Sequence, residues 1–317
     1  MSNITERVWN GFTPSDTVKR DLWAVNDFTE IDTPRRETTV FQMLVAQKLR
    51  ELVRQNYPGP YNMTEFGEIR SNLFSELVSL DKRANTTNEK RKVDFDREIL
   101  VHWLAYLSGL VVMRETDFIN SYLDENPSAR AQSILNILNN PEPSTLMPSQ
   151  KILPTVGLTV DAISRVKRDH WRTVGIWGGF DYGTTGHVEY LNKVRGTFGK
   201  FTKVFVFVSH DEEMKITRGP SRPYYPQDKR VVNLASMSAV DYVCPLPWPA
   251  GKMSIGYPDD FLSEIHRQLG LHFRVIGEKD DRFEAFAIEC RVSDTILVYN
   301  EDRRLDSATD AIRATAA

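Results

Sequence analysis

The sequence is short of several things, and each shortage excludes a class of protein. Two cysteines, Cys244 and Cys290, in 317 residues are too few for a disulfide framework. A formal net charge of −3 lacks the bulk positive field that holds nucleic acid, so no nucleic-acid partner is expected. No apolar run reaches the roughly 20 residues needed to cross a bilayer. The longest, Ile99 to Met113, contains His102 and reads as a buried helix in which that histidine is a satisfied core residue. The first residues lack the basic stretch and apolar core of a secretory signal. Together these absences predict a cytoplasmic chain with no membrane partner. No internal repeat or low-complexity tract is present.

The length exceeds what one typical domain requires, which predicts two. Residues 1–36 carry Trp9, Phe12 and Trp23 without a sustained period and read as an arm. From Thr38, apolar positions Val40, Phe41, Leu44, Val45, Leu49, Leu52 and Val53 share one helical face, stopped by Pro58-Gly59-Pro60. Phe66, Ile69, Leu73, Phe74, Leu77 and Leu80 mark a second helix, followed by a charged exposed loop from Asp81 to Lys92. A third is expected over Asp94 to Leu123, and a fourth from Asn126-Pro127-Ser128 to Asn140. Pro141 to Pro154 holds four prolines with little periodicity, as expected of a linker. Residues 1–155 are therefore read as an all-α N-terminal domain with arm and linker, and residues 156–317 as a second domain.

The second domain alternates. After a helix over Leu158 to Asp169 come strand patterns at Thr173 to Trp177, Val204 to Val208, Asp241 to Cys244, Phe273 to Ile276 and Thr295 to Tyr299. Helix patterns at His187 to Gly196, Val231 to Ala239 and Asp259 to Leu269 fall between them. The continuous β-branched run of Val204 to Val208 is that of a strand buried on both faces of a parallel sheet. The expected fold is α/β, a Rossmann-like doubly wound parallel sheet whose ligands sit at the carboxyl ends of its strands.

At one such end lies Gly178-Gly179-Phe180-Asp181-Tyr182-Gly183-Thr184-Thr185-Gly186-His187. Strand, Gly-rich turn and helix aim backbone N–H groups at one spot, which favours an anion and above all a phosphate. No Gly-Lys-Ser/Thr follows, which excludes a P-loop, and the glycine spacing does not fit the dinucleotide fingerprint. The stretch resembles instead the G-x-F-D-x-x-(H/T)-x-G-H signature of the nucleotidylyltransferase superfamily, with Thr184 at the position that glycerol-3-phosphate cytidylyltransferases and sugar-phosphate adenylyltransferases usually fill with histidine. Further elements follow in the order of those families: Asp211, Lys215, Ser221-Arg222-Pro223, Arg230, Val240-Asp241, Gly277-Glu278-Lys279-Asp280 and Ser307-Ala308-Thr309-Asp310-Ala311-Ile312-Arg313. The resemblance covers about Val174 to Arg313. Taken one by one, these basic residues read as solvated charges, and Ser307 or Thr309 as helix caps. Their shared order favours the family.

The resemblance implies transfer of a nucleoside monophosphate from a triphosphate, ATP or CTP, to a phosphorylated small molecule such as a sugar or glycerol phosphate, with release of pyrophosphate. It implies His187, Thr184 and Lys215 as catalytic residues. Gly178, Gly179, Phe180, Asp181, Gly186, Ser307, Thr309 and Arg313 would bind the nucleotide, and Arg222, Arg230 and Asp241 the acceptor. Mg2+ would come with the triphosphate, held by phosphates and water rather than by a carboxylate cluster. A homodimer is a further expectation. Two alternatives stand beside this reading: a nucleotide-binding module without turnover, which Thr184 and Ala308 would suit, and a nicotinamide mononucleotide adenylyltransferase.

Overall fold

The computed structural model describes residues 59–86, 109–249, 257–277 and 283–300. The arm, the helix expected from Thr38, the first half of the third expected helix, and the stretches 278–282 and 301–317 lie outside the described residues. So the all-α character expected of residues 1–155 is described only in part.

The described elements are β1 (Tyr61–Asn62), α1 (Met63–Thr86), α2 (Met113–Glu125), α3 (Ala131–Asn139), α4 (Pro148–Lys151), α5 (Val156–Arg168), β2 (Arg172–Gly178), α6 (Thr185–Phe198), β3 (Thr202–Val208), α7 (Asp211–Arg218), α8 (Gln227–Ala235), β4 (Tyr242–Pro245), α9 (Asp259–Leu269), β5 (Phe273–Ile276), α10 (Phe283–Val292) and β6 (Ile296–Tyr299). They form two compact units, one from residues 68–136 and one from 60–67 with 137 onward.

In the first unit α1 runs on to Thr86, so the charged stretch Asp81 to Thr86 is helix and not the expected loop. The single helix expected over Asp94 to Leu123 is also corrected. Residues 109–112 are non-helical, Gly109 has φ 75°, and α2 begins only at Met113. A buried ion pair joins α1 and α2, Arg70 Nη2 to Glu115 Oε1 at 2.8 Å, while the other Glu115 oxygen accepts the Val112 N–H at 3.0 Å. A carboxylate with no exposure survives there because both its oxygens are paired.

The second unit is a six-stranded sheet in the order β1-β6-β5-β2-β3-β4, parallel at every pairing. From β2 the chain winds outward through β3 and β4, then returns to the other side of β2 with β5 and β6. That is the Rossmann-like doubly wound arrangement, with its switch point at β2. Strand alternation divides the core. On one face Phe205, Phe207 and Trp177 pack with Ala162, Ile163 and Val166 of α5 and Ile265 and Leu269 of α9. On the other, Phe198 of α6 meets Phe273 of β5 at 5.0 Å and Phe66 of α1 at 4.6 Å between ring centroids.

Several parts of this unit depart from expectation. β1 belongs to the sheet although it stands in the half read as helical. α7 and α10 appear where no helix was expected. The proline-rich stretch does not hang between units: Ser144 N–H donates to Ser238 O at 2.8 Å, Leu153 N–H to Val243 O at 2.8 Å, and the buried Lys151 ammonium to Met237 O at 2.8 Å. The compact unit that carries the sheet therefore begins before residue 156.

Candidate active site

The carboxyl end of β2 is where the expected motif lies, and its geometry follows from two glycines. Ser209 N–H donates to Gly178 O at 3.0 Å, which joins the Gly loop to the end of β3. A Cβ on Gly179 would stand 2.4 Å from Met214 Sδ, so the glycine lets the thioether of α7 lie directly on the loop. Phe180 then turns the chain through the left-handed region (φ 49°, ψ 39°), a 3-10 turn covers Asp181–Gly183, and Thr184 becomes the N-cap of α6. The sequence thus converts a buried strand into a helix start within six residues, at the switch point of the sheet.

His187 stands on the first turn of α6, half-buried. The Thr184 backbone N–H donates to its Nδ1 at 3.2 Å, and the Thr184 hydroxyl lies 3.2 Å from the same nitrogen. The Phe180 ring packs 5.4 Å from the imidazole. Gly186 is part of the same helix start. The structure brings Gly178, Gly179, Phe180, Gly186, Thr184 and His187 together at the carboxyl end of β2.

Around this loop runs a network that the sequence did not predict. Asp181, 3% exposed, accepts from Arg222 Nη1 at 2.7 Å and from the backbone N–H groups of Tyr224 (2.9 Å) and Tyr225 (3.1 Å). Its carboxylate holds the 222–225 segment against the Gly loop, which is a structural use of a residue expected at the nucleotide. Arg230 reaches the same loop from α8. Its Nη1 donates to Gly179 O, its Nη2 to Ser209 O (2.8 Å) and Asp211 Oδ1 (2.7 Å), and its Nε to Tyr225 O (3.0 Å). The arginine expected to bind the acceptor therefore lies under the loop with protein acceptors on each nitrogen. Arg222 is close to the loop too, but on Asp181.

Lys215 lies on α7, exposed and paired with Glu212 at 2.6 Å; that pairing holds its ammonium above the usual lysine range. Asp241 is corrected outright. It is fully buried and bound to Arg195 and to the Val204 N–H at 2.9 Å. Since Gly178 aligns with Val208, Asp241 sits four residues back along β3, about 13 Å at the usual strand rise, at the amino end of the sheet and away from the site. Ser307, Thr309 and Arg313, and Glu278 to Asp280, lie outside the described residues.

Other residues at this end gave little or no sequence signal. Gln227 Nε2 bridges the carbonyls of Val208 and Leu246, 2.9 Å each, tying the ends of β3 and β4. His210 caps α7, its Nδ1 accepting the Glu212 N–H at 3.2 Å, while its backbone N–H donates to Tyr257 Oη at 2.8 Å. Its ring stacks on Trp248 at 5.7 Å. Burial pushes the Tyr257 hydroxyl well above its ordinary range, so it stays protonated. Among the described residues no group of three or more His, Cys, Asp or Glu side chains is placed to hold a metal ion, and no helix is long and apolar enough to cross a membrane.

Residues 176–287 match the family model described as cytidylyltransferase-like. Among individual proteins, the chain is similar to the bifunctional protein HldE of Vibrio atlanticus (strain LGP32) and of Vibrio vulnificus (strain YJ016). Each is 37% identical over 86 residues, which are 27% of this chain and 17% of the relative. The chain thus spans under a fifth of the length of the curated relatives it matches. It is also similar to the crystal structure of the lipopolysaccharide core biosynthesis protein from Thermoplasma volcanium GSS1, at 19% identity and a TM-score of 0.30, covering 42% of this chain and 97% of that one.

Proposed function

We propose that this chain transfers a nucleoside monophosphate from ATP or CTP to a phosphorylated small molecule, a sugar or glycerol phosphate, and releases pyrophosphate. The observation that carries the reading is His187 on the first turn of α6, beside the Gly178–Gly179 loop at the switch point of the sheet. A phosphate there meets a helix N-terminus and a ring donor together. The acceptor's phosphate oxygen attacks the α-phosphorus in line as the bond to the pyrophosphate oxygen breaks. The protein positions the charged groups and stabilises the added charge, and no covalent nucleophile is required.

His187 is assigned the donor to the α/β-phosphate region, and Lys215 a mobile cation that leaves Glu212 for a phosphate. Arg230 is assigned to hold the carbonyls of Gly179 and Ser209 in place, in preference to gripping the acceptor. Magnesium fits this site only as a partner of the triphosphate, because Asp181 and Asp211 already serve Arg222 and Arg230; when bound, it neutralises phosphate charge. Ser307, Thr309 and Arg313 keep their expected place at the β- and γ-phosphates as part of the proposal.

A second reading, a nucleotide-binding module without turnover, draws on the same two arginines, both engaged within the protein. Pyrophosphate release from ATP and CTP, each with a panel of sugar, glycerol and nicotinamide mononucleotide acceptors, decides between them. Turnover with one pair is expected. His187→Ala is expected to lower it by roughly 100-fold or more with an unchanged melting temperature. Tight triphosphate binding with no pyrophosphate from any pair would establish the second reading.

A further inference from the structure

The imidazole of His187 is held in one tautomer by the chain beside it. The Thr184 amide N–H points at Nδ1 from 3.2 Å, and an amide N–H can only donate. Nδ1 must therefore present its lone pair, and a neutral ring then carries its proton on Nε2. The Thr184 hydroxyl, at the same distance from Nδ1, can donate or accept, so it follows the amide and does not decide. The ring is kept in place from two more directions. The helix start binds residues 187 and 188 back to the Thr184 carbonyl, at 3.0 and 3.4 Å, and Phe180 packs against the imidazole. Thr184 itself is 8% exposed, so water does not compete freely for its N–H.

We propose that residue 184 is a positioning residue whose main-chain N–H, not its side chain, fixes Nε2–H of His187 as the donor that meets the phosphate. The proposal rests on the nucleotidyl-transfer reading for what Nε2–H meets, but not for the tautomer. It follows that a threonine where relatives carry a second imidazole removes nothing this device needs. Every residue but proline supplies the N–H.

The test is nitrogen NMR of the full chain labelled with 15N, with His187→Gln used to assign the ring among the six histidines. Wild type should show an unprotonated Nδ1, a protonated Nε2, and a scalar coupling across the hydrogen bond between the Thr184 amide nitrogen and Nδ1. Thr184→Ala should keep all three, since it keeps the N–H. Thr184→Pro suits the observed φ of −65° and removes the N–H. Its ring nitrogens should move towards values averaged over both tautomers, with kcat several-fold lower and the triphosphate KM little changed. A protonated Nδ1 in wild type, a missing coupling, or loss of the coupling in Thr184→Ala overturns the proposal. So does a folded proline variant with wild-type kcat. Should the proline variant not fold, wild type and Thr184→Ala alone decide. If the nitrogen pattern holds but wild type releases no pyrophosphate, the functional reading fails and the tautomer assignment stands.

Discussion

Arg230 is 1% exposed, and each nitrogen of its guanidinium ends on a protein oxygen. Asp211, at 29% exposure, keeps access to water when its partner goes, but buried carbonyls left without a donor typically cost about 1–3 kcal/mol. Arg230→Met should therefore lower unfolding stability in urea by about that much, since three carbonyls lose their donor. If Arg230 instead gripped the acceptor, the same variant would raise acceptor KM at unchanged stability. His266 is a second buried group with a measurable consequence. It is 1% exposed, its Nδ1 lies 3.1 Å from Ser293 Oγ, and burial, helped by the Arg274 charge, pushes it down from 6.5 to about 3. The folded ring resists a proton that the unfolded chain accepts. Its contribution to stability is thus complete above pH 6.5 and is lost as pH falls towards 3. His266→Gln should flatten stability against pH in that window, by up to about 1.4 kcal/mol per pH unit, in urea melts at stepped pH.

Elements on the central strand differ in how much room they leave. A Cβ on Gly175 would stand 2.4 Å from Leu271 Cδ1 and 2.7 Å from the Trp177 ring, whereas one on Gly179 meets only the flexible end of Met214. Gly175→Ala should cost about 1–3 kcal/mol by overpacking, and Gly179→Ala less, because a thioether can swing aside. Thermal melts of the two variants check the order, and equal losses would contradict it. The same scale shows what the sequence made legible. β3 was readable because both its faces are apolar over Val204 to Val208, and the Gly loop with Thr184 and His187 because its motif is local. α7 was not: Asp211-Glu212-Glu213-Met214-Lys215 buries little beyond Glu213 and Met214, so no apolar stripe announces it. β1 has two residues and no pattern at all. The Asp181 and Arg230 network was hidden for another reason, since its partners stand about 20 to 50 residues apart and only the fold brings them together. Asp241 was misjudged because sequence order along a strand does not say which end of the sheet a residue reaches.

At the scale of the molecule, the unit that carries the site borrows from a distant part of the chain. Residues 60–67 supply β1 and Phe66, and Phe66 is fully buried against Phe198 and Phe273. A fragment covering 137–317 loses that ring and uncovers the outer edge of β6, which presents unpaired backbone groups to other copies. It should therefore associate or precipitate where the full chain does not, as light scattering would show; a monodisperse fragment with wild-type stability would contradict this. The homodimer proposed from the sequence is tested by sedimentation of the full chain in the same buffer.

The β1–β6 pairing also sets an order of events in time. During synthesis Tyr61 leaves the ribosome before any other described strand, while its partner Val298 lies in the last. β5 can pair with β2 and then receive β6 as each is made. β1 must wait, with the helix that follows it, until the rest of the sheet exists. Closure across so long a stretch of chain is the slow kind of contact, made against the greatest loss of chain entropy. The β1–β6 pairing is therefore expected to be the last of the sheet to form, and until it does the edge of β6 stands open to other chains.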